Sequence, residues 1–91
     1  MNELSRDALV EKAEAIKSKA DFDAFVQLLL RNYREYPDEW ENNTLDLFLQ
    51  GIAGFVGSME GYYSNIGVRV DFERPRWRMF AAILLAARVY E

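Results

Sequence analysis

An all-α fold, a small four-helix, largely antiparallel bundle with a long ordered loop before its last helix, follows from three observations on this chain. Apolar residues recur at spacings of three and four along most of it. Residues that cap or break helices, among them Ser5, Asp21, Pro37, Asn42 and Pro75, stand where those runs begin or stop. Ninety-one residues with 51% hydrophobic content can fill one core but not two. A single domain over residues 1–91 is expected, with residues 1–20 as a peripheral helix and residues 21–91 as the core.

The first helix is predicted over residues 6–19, capped by Ser5, with Leu9, Ala13, Ile16 and Ala20 on one face. That face is only weakly apolar, which places it at the edge of the fold. Asp21 is the expected cap of the second helix, whose stripe is Phe22, Phe25, Val26, Leu29, Leu30, Tyr33 and Tyr36. Pro37 stops it, because proline lacks an amide donor and steers the preceding residue away from helical angles.

Pro37-Asp38-Glu39 reads as a turn, and Asn42 or Asn43 is the expected cap of a third helix, with Asp46 near its positive end. Its buried stripe is predicted to be Leu45, Phe48, Leu49, Ile52, Phe55, Val56 and Met59. Gly51, Gly54 and Gly57 weaken helix propensity by up to about 1 kcal/mol each. A close helix crossing would justify them. Residues 61–74 lack helical period and read as a long loop, ordered by Tyr62, Tyr63, Ile66 and Phe72. Val68, Val70 and Phe72 alternate with charged residues, so a short strand pair there is left open. The fourth helix is predicted from Pro75, with Trp77, Phe80, Ala81, Leu84 and Ala87 or Arg88 on one face. Its alanines, Ala81, Ala82, Ala86 and Ala87, allow another backbone to approach closely.

The chemistry of the chain is bounded by what it lacks. Without cysteine there is no disulfide and no thiolate, and without histidine there is no imidazole base or metal ligand. Serine triads, cysteine–histidine dyads and most transition-metal sites are thereby excluded. No catalytic residue, metal site or cofactor is assigned. Asp38, Glu39, Glu41 and Asp46 lack the spacing of a calcium loop, and no substrate-shaped motif accompanies them as an acid–base pair. A net charge of −4 and a pI near 4.8 argue against a nucleic-acid partner. No basic and apolar leader is visible, and no apolar run approaches the roughly 18 to 20 residues of a membrane span, so a cytoplasmic location is the expectation.

Charge is unevenly distributed. Residues 1–68 carry six cations against twelve acids, and residues 69–91 carry five cations against three acids. Between Arg34 and Arg69 there is no lysine or arginine, while Glu35, Asp38, Glu39, Glu41, Asp46 and Glu60 all lie there. Glu39, Trp40, Glu41 and Asn42 therefore form one candidate surface, an aromatic anchor beside acids and an amide. The bland alternative is that Trp40 packs on the third helix while Asn42 caps it. Tyr62, Tyr63 and Asn65 could line a ligand groove, or simply pin their own loop. Arg74, Arg76 and Arg78 could grip a phosphate or carboxylate, or pair with acids of the same molecule such as Glu39 or Glu41.

The residues Trp40-Glu41-Asn42, Leu45, Phe48-Leu49, Gly61-Tyr62-Tyr63 with Asn65, Pro75, Trp77, Phe80-Ala81, Leu84, Ala86-Ala87 and Tyr90-Glu91 together carry a resemblance. Over about residues 22–91 the chain resembles a family of small, mostly bacterial proteins of unknown function. Phe55 stands where similar proteins are expected to have tryptophan, a swap that keeps an aromatic core role. The resemblance implies no reaction and transfers no catalytic residue.

The leading expectation is a non-catalytic protein-interaction module that presents an acidic face, with Trp40 and Tyr62 or Tyr63 as anchors, to a basic protein partner. An immunity-like protein is one form of it. The alternative is a small-ligand-binding or sensor module with a pocket under residues 61–74, formed by Tyr62, Tyr63, Asn65 and Arg74 or Arg76. A homodimer, through the alanine-rich fourth helix, is also left open.

Overall fold

Each helix starts at a hydroxyl or at an extended residue that the chain supplies locally. In a computed structural model that describes residues 2–90, α1 (Arg6–Glu14) begins at Ser5, whose hydroxyl accepts the Ala8 amide at 3.2 Å. It is shorter than residues 6–19. The cap of α2 (Lys19–Glu35) is Ser18, which accepts the Asp21 amide at 3.1 Å, while the Asp21 carboxylate accepts the Lys17 amide at 2.9 Å. Asp21 thus sits inside the first turn and is not the cap. Pro37 ends α2 and opens a 3₁₀ turn (Pro37–Glu39).

Both ends of α3 also differ from the sequence expectation. The cap of α3 (Leu45–Asn65) is Thr44, whose hydroxyl accepts the Leu47 amide at 3.1 Å; neither Asn42 nor Asn43 caps it. The helix also continues through Gly61, Tyr62 and Tyr63, so the predicted loop loses its first five residues to α3. Gly67 ends it at φ 71°, with its amide on the Ser64 carbonyl and the Val68 amide on the Tyr63 carbonyl. That reciprocal pair satisfies the last carbonyls of the helix, and glycine adopts the left-handed angle without steric cost. Among the described residues no strand forms between here and α4 (Trp77–Ala87). Arg76, in extended geometry, precedes α4 in place of Pro75 as the first helical residue.

The helices are arranged around α4, which packs on all three others, while α1 also packs on α2. Phe22 meets Trp77 and Phe80 at one end and Asn32 meets Arg88 at the other, so α2 and α4 run in the same direction. Gly51 faces Ala87 and Met59 packs with Met79, so α3 runs opposite to α4. No backbone approach joins α2 to α3.

The core lies in two clusters along α4. One gathers Leu9, Ala13, Ile16, Phe25, Leu29, Trp40 and Ala81, and the other Phe55, Met59 and Met79. Leu9 and Ala13 belong to the first cluster, and Leu4 is buried as well, so α1 is part of the core and not a peripheral cover. Short side chains made its face look weak; their complete burial restores the difference at about 25 cal/mol per Å² removed from water. The α3 stripe is only half used. Gly51, Phe55 and Met59 are buried, whereas Leu45, Leu49 and Val56 are 74%, 53% and 48% exposed, because α3 has α4 alone to pack against.

Candidate functional site

The connection from α2 to α3 is held from beneath by one buried amide. Asn32, fully buried on the core side of α2, donates to the Leu4 carbonyl at 3.1 Å and to Glu39 Oε1 at 3.2 Å. Its oxygen accepts the indole N–H of Trp40 at 2.7 Å and Nη1 of Arg88 at 3.1 Å. All four bonding positions of the amide are used. Arg88 also lies over the Trp40 ring, 5.7 Å from its centroid, and 3.9 Å from Glu39. Burial pulls the Arg88 guanidinium below its ordinary pKa, an effect opposed by Glu39 and reinforced by Arg6.

Asn42 makes a second tie. Its side-chain amide donates to the carbonyls of Ala87 at 2.9 Å and Tyr90 at 2.7 Å, and its backbone amide donates to the Arg88 carbonyl at 2.9 Å. Three carbonyls that the end of α4 would otherwise leave unpaired are satisfied by one residue. Gly51 makes room for this: a Cβ there would sit 2.6 Å from the Ala87 carbonyl oxygen and 2.8 Å from Asn42 Nδ2.

These ties sort the expected residues. Trp40 and Asn42 are buried, with their polar atoms committed to Asn32 and to α4, and so are not free surface anchors. Glu39 is exposed but bonded to Asn32 and close to Arg88. Glu41 is exposed, as are Glu35, Asp38 and Asp46. The anticipated pairing of Arg74 or Arg76 with Glu39 or Glu41 does not form; Arg88 takes Glu39 instead. Asn32 and Arg88 were absent from the sequence candidates, although a lone amide at the 25, 29, 32 face of α2 was a readable signal.

Two shallow concavities, of about 220 and 410 Å³, lie at this end of the molecule. The smaller is walled by Tyr33, Trp40, Leu45 and Phe48, the larger by Glu41, Leu47, Gln50 and Tyr90. Trp40 stacks on Phe48 and meets Tyr33 edge to face, so it bridges α2 and α3 where their backbones stay apart. Tyr62, Tyr63 and Asn65 occupy the last turns of α3, which is 21 residues long, so the site divides between ends on the order of 30 Å apart. Neither concavity is lined by those residues or by Arg74 or Arg76. Tyr63 instead packs against Tyr62 and Phe72, and burial, then the neighbouring Tyr62, raises its phenol above the ordinary value, against an opposing pull from Arg78. No described helix is long and apolar enough to cross a membrane.

Comparison with known proteins adds a family and nothing more specific. Residues 18–91 match a family described as a family of unknown function (DUF7660). No curated protein matches the chain, and no solved structure does.

Proposed function

We propose a function from the surface itself, because the chain belongs to the DUF7660 family of unknown function: a non-catalytic interaction module whose acidic end receives a basic protein partner. The observation that supports this reading is the position of the acids. Asp38, Glu41 and Asp46 are exposed in or beside the segment that joins α2 to α3, Glu41 lines the larger concavity with Leu47, Gln50 and Tyr90, and none of the three has an ion-pair partner among the described residues.

Exposed acids of one sign steer a basic surface during encounter and fix its orientation, while the apolar wall supplies the contact that is removed from water. The ends of α2 and α4 both point here, adding the negative ends of two helix dipoles, and the start of α3 offsets one of them. Neutralising a basic toxin in an immunity-like role is one form that such a surface takes.

The test is capture of basic proteins from native lysate at low and at raised salt, comparing wild type with the Asp38→Lys, Glu41→Lys double variant. Glu39 is left intact because it bonds Asn32. Retention of a basic protein that is lost with both salt and the variant supports the reading. Retention indifferent to the variant rejects it.

A further inference from the structure

Both α2 and α3 rest on α4 while their backbones stay apart, which leaves a groove above α4 whose walls are apolar. One wall is the flank of α2 that carries Phe22, Val26, Leu30 and Tyr33, and the other is the flank of α3 that carries Leu45, Leu49, Ile52 and Val56. On α4, Phe80 is exposed beside Phe22, and Leu84 packs against the cluster of Phe25, Leu29 and Trp40. The walls converge on the Tyr33, Trp40, Phe48 bridge at the acidic end. At the other end, Phe22, Trp77 and Phe80 pack together beside Arg76 and Arg78, with Asp21 and Asp23 also nearby in α2.

The two walls match in length and period. Phe22 to Tyr33 and Leu45 to Val56 each span twelve residues with steps of three and four, which is about 17 Å or three helical turns. Monomeric proteins rarely expose so long a continuous apolar strip without a use for it. No charged residue lies on either set of wall positions, whereas Asp38, Glu41 and Asp46 lie in or beside the segment that joins the two walls at one end. The groove is therefore apolar along its length and polar in direction.

We propose that this groove receives one amphipathic helix of a protein partner, apolar along a single stripe and carrying lysine or arginine in its last turns. The inference rests on the interaction reading above and names its partner. Basic residues belong in the last turn of a helix, where they also complement its negative end. Placing that end at Asp38, Glu41 and Asp46 makes the docked helix run parallel to α2, with its stripe against Leu30 and Leu49. A second copy of this chain fits less well: α3 carries Asp46 and Glu60 and no lysine or arginine, so pairing two α3 stripes joins helices of like charge.

The test uses a synthetic helix of about 18 residues, five turns, with leucines on one stripe and lysines in its last two turns. Controls are the same peptide with glutamate replacing lysine and a scrambled peptide of identical composition. Anisotropy titration should show the lysine peptide binding at least about tenfold more tightly than either control, and Leu49→Asp should weaken it by about tenfold or more. Leu49 is more than half exposed, so the substitution leaves the fold intact, which circular dichroism checks. Equal binding of stripe and scramble, or indifference to Leu49→Asp, overturns the groove. If the peptide instead responds only to Asp38→Lys, Glu41→Lys, the acidic-end reading survives and the groove falls. A wild-type dimer that Leu49→Asp converts to monomer in analytical ultracentrifugation also overturns it, with a second copy as the occupant.

Discussion

The indole N–H of Trp40 donates to the side-chain oxygen of Asn32 at 2.7 Å, and neither residue is more than 9% exposed. That bond ties the acidic turn to the middle of the core. It turns a residue pattern that reads as a recognition patch into the support beneath one.

Asn32→Ala should therefore destabilise the protein by about 3 kcal/mol, since it strands the Trp40 N–H and leaves the buried Arg88 with Glu39 as its remaining polar side-chain partner. Urea unfolding measures this. Trp40→Phe combined with it should cost clearly less than the sum of the two single changes, because both remove the same bond.

Gly51→Ala and Gly57→Ala should move stability in opposite directions. At Gly51 the added methyl meets the Ala87 carbonyl, backbone that cannot swing aside, and a loss of about 2 kcal/mol is expected. At Gly57 nothing lies within 4 Å of the new Cβ, so the ordinary helix preference of alanine should add up to about 1 kcal/mol. Thermal melts of the two variants give the comparison, and equal shifts would refute the close crossing of α3 and α4.

Asn42→Ala should cost about 2 kcal/mol by releasing carbonyls of Ala87 and Tyr90. Its signature is local. Amide exchange should accelerate in the last turn of α4 and at Tyr90 before it changes in α1.

Tyr63 gives the fold an alkaline limit. Its pKa is raised in the folded state, mainly by burial, so the folded protein holds the proton more tightly than the unfolded chain does. The sign follows: stability is intact below the ordinary tyrosine pKa of about 10 and falls as pH rises through the higher folded value. Tyr63→Phe should flatten the decline between about pH 9 and 11 in urea midpoints, whereas an unchanged slope would assign the decline to other groups.

The four helices were legible because their signals are local. Ser5, Pro37 and the spacing of Phe25 with Leu29 act within one or two turns, and the start of α1 and the end of α2 formed where the pattern placed them. The boundary at Ser18 was missed because serine and aspartate three residues apart both satisfy a capping preference. The end of α3 was missed because Gly61 and two tyrosines have low helix propensity, which the closure at Gly67 overrides. The candidate site was legible in its acids and not in its wiring. Asn42 answers carbonyls 45 and 48 residues away, and no local rule distinguishes that from capping the next helix.

Because α4 touches every other helix while α2 and α3 do not approach each other, assembly has a fixed order of dependence. The α1–α2 hairpin can form from neighbouring sequence, but α3 has no surface to settle on until residues 77–87 arrive. Partial folding therefore gains little, and the rate should depend on contacts of long sequence separation, such as Asn32 with Arg88 across 56 residues. Anything that peels α4 away leaves two orphaned pieces with their greasy sides uncovered, so this is the segment whose loosening a quality-control protease would read first.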